Sequence, residues 1–334
     1  MLEEPVLRVL AGAPTGVVAA EAAYDAGLLL AGVEAYLAAG GRALASQDTV
    51  RWKYWRIEVT GDAADARRLV ADLAPLLDHL TRDGSTGQWW FLVKDDGTPH
   101  VRLRLLGREP GLSDRAAPAI ESELAAACRS GRLRGWCTVP YEPEVALFGG
   151  PEGMRLSHAL LHRDSRAAAR WLAAGHARTE EASVVAIRGL LVGAELDIFE
   201  QGDVWARVAS QRPLAPGRPA PGPGAIGWLY AAGPDELRAL LGDGEAYGAA
   251  VDWAVELHRS GEELAAAARR GDLGRGLRAI LATHVIFHWN RAGLSAAAQA
   301  SLAHRLAGWI FDDERGPLVR PSGGESGPPP AEGW

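Results

Sequence analysis

The chain has 334 residues, with 35 Lys and Arg against 42 Asp and Glu, a net charge of -7 and a pI near 5.8. That length suits one large domain or two small ones, and the acidic balance argues against nucleic acid as the main partner, because duplex binders carry a basic excess. No stretch reaches the ~20 apolar residues that a membrane crossing needs, and Glu3 and Glu4 stand where a signal peptide would be basic, so the sequence reads as a cytoplasmic protein with no membrane partner.

Residues 1–50 read as an N-terminal helical segment, with an Ala- and Leu-rich helix over 17–40 weakened at Gly27 and Gly32 and ended by Gly40 and Gly41. Residues 51–60 (RWKYWRIEVT) alternate as a strand does. Asp62 caps a helix over 63–80, and Gln88 to Lys94 is a second strand. Asp95-Asp96-Gly97-Thr98 is a turn whose glycine supplies a positive φ, joining that strand to a third over His100 to Gly107. Ser113 caps a helix to about Ser130, and Leu133 to Tyr141 is a fourth strand. The order β-α-β-β-α-β is that of the ferredoxin-like split unit, so the expected class is α+β with residues 51–145 as the sheet-bearing half.

From Pro151 onward the pattern is helical, with segments over 151–163, 164–175, 178–197, 200–211, 234–241, 245–270, 274–292 and 295–311. Residues 146–312 thus form a helical half that completes a cleft. Residues 213–224 (PLAPGRPAPGPG) are a Pro/Gly loop or linker, and 313–334 read as a disordered tail. Cys128 and Cys137 fit no disulfide or metal framework and read as small buried residues.

A split unit places both helices on one side of its sheet and leaves the other side open. Alternation assigns side chains to the two faces. Trp52, Tyr54, Arg56 and Glu58 of the first strand, Trp90 and Lys94 of the second, His100, Arg102 and Arg104 of the third, and Arg134 and Trp136 of the fourth should look to the open face. Such a face can stack flat rings and hold acidic or carbonyl groups. Equally, the helical half can pack on it and leave the arginines in structural ion pairs. An RNA-recognition domain shares the topology, but its Gly-Phe-rich signature is missing.

Three stretches resemble the C-terminal domain shared by lantibiotic dehydratases and thiopeptide-type bacteriocin biosynthesis proteins. They are Trp89 to Leu105 (WWFLVKDDGTPHVRLRL); Tyr141 to Glu144 (YEPE) with Phe148 to Met154 (FGGPEGM) and His162 to Ser165 (HRDS); and His284 to Arg291 (HVIFHWNR). The resemblance runs over roughly residues 50–310 and is nearest to the thiopeptide macrocycle-forming pyridine synthases. Those enzymes join two dehydroalanines of one peptide in a formal aza-[4+2] cycloaddition, then lose water and the leader peptide. The related elimination domains remove an activated glutamate from Ser or Thr. Elimination members tend to carry Arg-Tyr before an Asp-Pro turn, whereas Val93-Lys94 precede Asp95-Asp96 here.

The resemblance implies no cofactor. Its partner would be a ribosomal precursor peptide, leader and modified core, and a homodimer is compatible with it. It directs attention to His100, Arg102, Tyr141, Ser157, His158, His162, His284 and His288 for proton transfer and oxyanion support. Trp52, Tyr54, Trp90 and Trp136 would stack azole rings, with Arg56, Arg104, Asn290 and Arg291 as further substrate contacts. Each histidine can instead be a core or capping residue. His284 and His288, four apart, also suit zinc, but Val285 stands where the metalloprotease motif needs Glu, and no third ligand is placed. A peptide-binding scaffold without chemistry would use the same face.

Overall fold

The computed structural model describes residues 2–50, 52–95, 97–107, 112–216, 226–227, 230, 232–242 and 244–311. The chain divides into two compact units, residues 1–51 and 52–334. Most of the expected linker over 213–224 and the whole expected tail over 313–334 lie outside the described residues.

The first unit holds α1 (Glu3–Leu10), α2 (Thr15–Ala22) and α3 (Ala26–Val50), packed around Val6, Val18, Ala19 and Leu29. The single helix expected over 17–40 is two. Ala23 takes a left-handed φ of 55°, and the Asp25 carboxylate accepts the Leu28 N–H to start α3 afresh. At the other end α3 runs through Gly40 and Gly41 to Val50, the glycines costing about 1 kcal/mol each without stopping an Ala-rich helix. No single described helix is long and apolar enough to cross a membrane.

The second unit combines a small antiparallel sheet with many helices. β1 (Trp52–Val59), α4 (Ala63–Arg82), β2 (Gln88–Asp95), β3 (Pro99–Leu106), α5 (Leu112–Arg129) and β4 (Leu133–Thr138) come in that order. The strands lie as β2-β3-β1-β4, with every neighbouring pair antiparallel. Asp62 caps α4 by accepting from the Ala64 and Asp65 N–H groups, and Asp65 answers it in a capping box. Gly97 has φ 102°, the left-handed turn position between β2 and β3. Trp55, Ile57, Trp89, Phe91, Val101, Leu103 and Leu105 form one face and meet Leu69, Leu73 and Leu77 of α4 and Ile120 and Leu124 of α5. Each such side chain contributes roughly 1.5–3 kcal/mol when fully buried.

Further helices follow in the described structure, among them α6 (Gly150–Ala174), α7 (Thr179–Gly193), α8 (Ile198–Gln211), α9 (Pro234–Leu241), α10 (Glu245–Arg270), α11 (Leu277–Ala292) and α12 (Ala296–Phe311). Segments 151–163 and 164–175 are one helix, because Asp164 does not break α6 but turns into the core. α6 also closes a sheet edge. His162 Nδ1 lies 3.1 Å from the Trp89 amide nitrogen and 2.9 Å from its carbonyl, and Ser165 Oγ accepts the Phe91 N–H at 3.2 Å. Those β2 backbone groups would otherwise face outward unpaired, the usual liability of an edge strand.

Two expectations fail at β4. The register slips between Glu58 and Val59, so Leu133 lies opposite Val59 while Trp136 lies opposite Ile57. Directly opposed residues share a face, and the bulge therefore turns Trp136 under the helices, where it packs on the main core instead of the open side. Cys137, opposite Arg56, is exposed and not buried.

Candidate active site

The register of the sheet builds the centre of the site. On the open face Arg104 of β3 lies directly opposite Trp90 of β2 on one side and Tyr54 of β1 on the other. Its guanidinium carbon sits 4.0 Å from the Trp90 ring centroid, 4.4 Å from that of Tyr54 and 5.6 Å from that of Tyr141. Arg104 is 7% exposed, its Nε has no hydrogen-bond partner among the described residues, and one terminal nitrogen donates to the Arg102 carbonyl at 3.3 Å. Burial, only partly offset by the surrounding Tyr54, Tyr141 and Glu144, pulls its pKa down to about 10. The three rings supply the cation–π attraction that replaces part of its lost hydration.

Against this cation stands a second pair. Tyr141, three residues beyond β4, places its hydroxyl 2.7 Å from His158 Nε2 of α6. Trp52 packs on both, with centroids 5.0 Å from Tyr141 and 4.5 Å from His158. Leu92 and Leu161 complete the cluster, and Phe287 of α11 borders it. Burial, and then Arg104, depress His158 to about 3, while burial raises the Tyr141 phenol above its usual range, with Arg104 opposing. The pair is therefore a neutral phenol and a neutral imidazole in contact, the phenol donating from Oη to Nε2 beside a fixed positive charge.

Beyond the cage the face stays basic. Arg102 donates from Nε to His100 Nε2 at 3.2 Å, and His100 Nδ1 donates to the Thr98 carbonyl at 2.9 Å. Both His100 ring nitrogens are thus engaged, and the ring steadies Arg102. Burial lowers the Lys94 ammonium, and Arg102, Arg212 and Arg104 lower it further. Arg56 makes an exposed ion pair with Glu58 at 3.4 Å.

The remaining candidates gather elsewhere, along the seam of α6 and α11. Ser157 and Asp164 are seven apart on one helix; His284, His288 and Arg291 stand at i, i+4 and i+7 on the other, so each set forms one stripe. Ser157 Oγ lies 3.0 Å from His284 Nε2, and the imidazole packs on Phe148 at 4.9 Å. Asp164 Oδ1 accepts from His288 Nδ1 at 2.8 Å and from Trp253 Nε1 of α10 at 2.7 Å, and Oδ2 accepts from Arg291 at 2.7 Å. Ser183 of α7 closes the chain at 2.8 Å from His288 Nε2. Ser183, His288 and Asp164 have the connectivity of a hydrolytic triad, yet all three are buried to within 1%. Asp164 is answered by Arg291, so the group reads as a core network.

The structure thus brings Trp52, Tyr54, Trp90, Arg104, Tyr141 and His158 into one cluster, with His100 and Arg102 flanking it on the sheet. It takes Ser157, His284, His288 and Arg291 into the helix seam and His162 to the β2 edge. Asn290, expected to touch substrate, accepts from Gln299 Nε2 of α12 at 3.1 Å, and Arg291 is wholly buried against Asp164. Asp164, Ser165, Ser183 and Trp253 were missed as partners. Asp164 and Ser165 lie inside the HRDS stretch, and the i, i+7 spacing from Ser157 was the signal for the first. Among the described residues no group of three or more His, Cys, Asp and Glu is placed to hold a metal.

The family model of the lantibiotic biosynthesis dehydratase C-terminal region matches residues 52–309. Among solved structures the chain is similar to the tRNA-dependent lantibiotic dehydratase MibB from Microbispora sp. 107891, with 19% identity and a TM-score of 0.59 over 77% of this chain and 28% of MibB. It is similar to TsrL, with 18% identity and a TM-score of 0.50 over 77% of this chain and 93% of that one. It is similar also to TbtD, a pyridine synthase from thiomuracin biosynthesis, with 14% identity and a TM-score of 0.50 over 77% of this chain and 96% of TbtD. At such identities the likeness is one of fold. The chain spans little more than a quarter of the length of MibB. No curated protein matches it.

Proposed function

Because the chain belongs to the lantibiotic biosynthesis dehydratase C-terminal family, we propose that it is an enzyme of ribosomal-peptide maturation acting on a modified precursor peptide, and that its reaction is pyridine formation. The observation that carries this reading is the Tyr141–His158 pair beside the caged Arg104. In the proposed reaction one backbone amide moves a proton from nitrogen to oxygen and becomes the iminol of a 2-azadiene. Two carbon–carbon bonds then close the ring onto a second dehydroalanine. Expulsion of the hydroxyl as water and of the leader as an amide leaves the pyridine. The tautomerisation is a proton transfer, and each expulsion breaks a carbon–oxygen or carbon–nitrogen bond with a proton delivered to the leaving group and one removed from a ring carbon, so a positioned acid or base supplies ~10²–10⁴-fold for each. Tyr141 and His158 take that role, and Arg104 supports the developing iminolate oxygen. Ring closure itself needs two distant residues of one chain held together, worth about 7–11 kcal/mol when orientation is well fixed; Trp52, Trp90 and Tyr54 supply stacking surface for azoles. The strand order and the two crossing helices support reading the sheet as a ferredoxin-like split unit.

One observation favours a second reading, elimination of glutamate from a glutamylated peptide. Lys94 and Arg104 lie on the same face, four residues apart in the register, and among the described residues neither has a carboxylate within ion-pair distance. A glutamyl carboxylate would answer either.

The purified protein is incubated with a dehydrated, azole-containing precursor and, separately, with a glutamylated one, and the masses are read. A macrocycle with a free leader amide supports pyridine formation. Loss of glutamate from the second peptide alone supports elimination, and no change in either would leave only a scaffold.

A further inference from the structure

The two edges of the sheet are treated differently. On β2 the outward backbone groups of Trp89 and Phe91 are taken up by His162 and Ser165 of α6. β4, the other outermost strand, has β1 as its only strand neighbour among the described residues. The Val139 N–H donates to the Tyr54 carbonyl at 3.0 Å, and the register continues as Cys137 opposite Arg56 and Gly135 opposite Glu58. Antiparallel ladders alternate between residues that bond their partner and residues that turn away. Cys137 and Gly135 are thus the bonded set, and Trp136 and Thr138 point their N–H and C=O off the open edge. Thr138, Cys137 and Arg134 are exposed.

We infer that the free edge of β4 is a docking strand for an extended segment of the peptide substrate, which adds as a fifth strand through the main chain of Trp136 and Thr138. The proposal rests on the reading of the substrate as a peptide. Two features favour that occupant. From Thr138 the chain passes through Val139 and Pro140 directly to Tyr141, so a segment paired along β4 runs up to the proton-transfer pair. Arg134, exposed near the start of the strand, lends it a positive charge that suits an acidic stretch of peptide, whereas Arg132 just before it is already paired with Asp72 at 2.8 Å.

The test uses the full chain and a synthetic precursor with an acidic leader and a dehydroalanine-containing core. Hydrogen exchange is read with and without peptide, and affinity is compared for the wild type, Thr138→Ala and Thr138→Pro. Proline removes only an N–H that faces away from β1, so the ladder keeps its bonds. Protection of the Trp136 and Thr138 amides on peptide addition, with Thr138→Pro binding about tenfold more weakly and Thr138→Ala unchanged, supports the docking strand. Should Thr138→Pro not fold, the exchange measurement on wild type decides alone. A peptide that binds or is turned over while both amides exchange freely overturns the docking strand and leaves the peptide reading standing. A peptide that neither binds nor reacts overturns both.

Discussion

Asp164 on α6 and Arg291 on α11 form an ion pair in which neither residue has any exposed surface. Burial alone would raise the Asp164 carboxyl, but Arg291 and His288 outweigh it and hold the group well below the usual carboxylate range. A buried pair adds little over apolar residues of the same volume, whereas half of one is costly. Asp164→Asn or Arg291→Met alone should therefore lose ~3–5 kcal/mol, and Asp164→Leu with Arg291→Met should recover only part of it, because His288 Nδ1 and Trp253 Nε1 then lose their acceptor. Urea unfolding of the four proteins measures this; a double variant as unstable as the singles would contradict it.

His284 gives the stability a pH dependence of known sign. Burial, then Arg291, depresses its pKa from 6.5 to about 3, so the folded chain refuses a proton that the unfolded chain accepts. The stability tied to its neutral form is complete above about pH 6.5 and is lost as the pH falls toward 3, at roughly 1.4 kcal/mol per pH unit. His158, depressed in the same direction, adds to the slope. His284→Gln, which keeps a partner for Ser157 but cannot titrate, should shallow the fall in Tm between pH 7 and pH 5. An unchanged slope would remove His284 as its cause.

Much of the sheet half was legible because its signals are local. Asp62, Gly97 and the alternation of β1 to β3 each depend on a few neighbouring residues, and the face holding Trp90, Arg102 and Arg104 comes directly from them. Trp136 was misplaced because a one-residue bulge is invisible in the strand's own composition yet reverses the face of every later residue in that strand. The split of histidines between site and seam was illegible for another reason. His158 and His284 are equally polar in sequence, and only the rotation of α6 and α11 against their neighbours decides that one meets Tyr141 and the other Ser157. His162 shows the same limit: a ring that looks catalytic is spent on the backbone of Trp89.

Arg104 should trade stability against activity. Its ring contacts are worth ~2 kcal/mol when desolvated, less than the several kcal/mol that burying a cation without a counter-ion costs. Arg104→Met, which fills the space between Trp90 and Tyr54 without charge, should leave the protein as stable or raise Tm, while turnover drops by about 10²–10³ through loss of the oxyanion partner. Arg104→Met with wild-type turnover would take the guanidinium out of the reaction.

Tyr141→Phe separates the hydroxyl from the ring. The phenyl still packs on Trp52 and beneath Arg104, so substrate stacking survives and KM should stay within about twofold, while kcat falls by ~10²–10⁴. His158→Ala should lose a similar factor, because in the proposed reaction the two groups, 2.7 Å apart, act on the same proton. Groups that act as a unit are strongly non-additive. The double variant should accordingly be no slower than the worse single one. Losses that multiply instead would mean that the phenol and the imidazole serve separate steps, and the assignment of a shared proton to this contact would have to be given up.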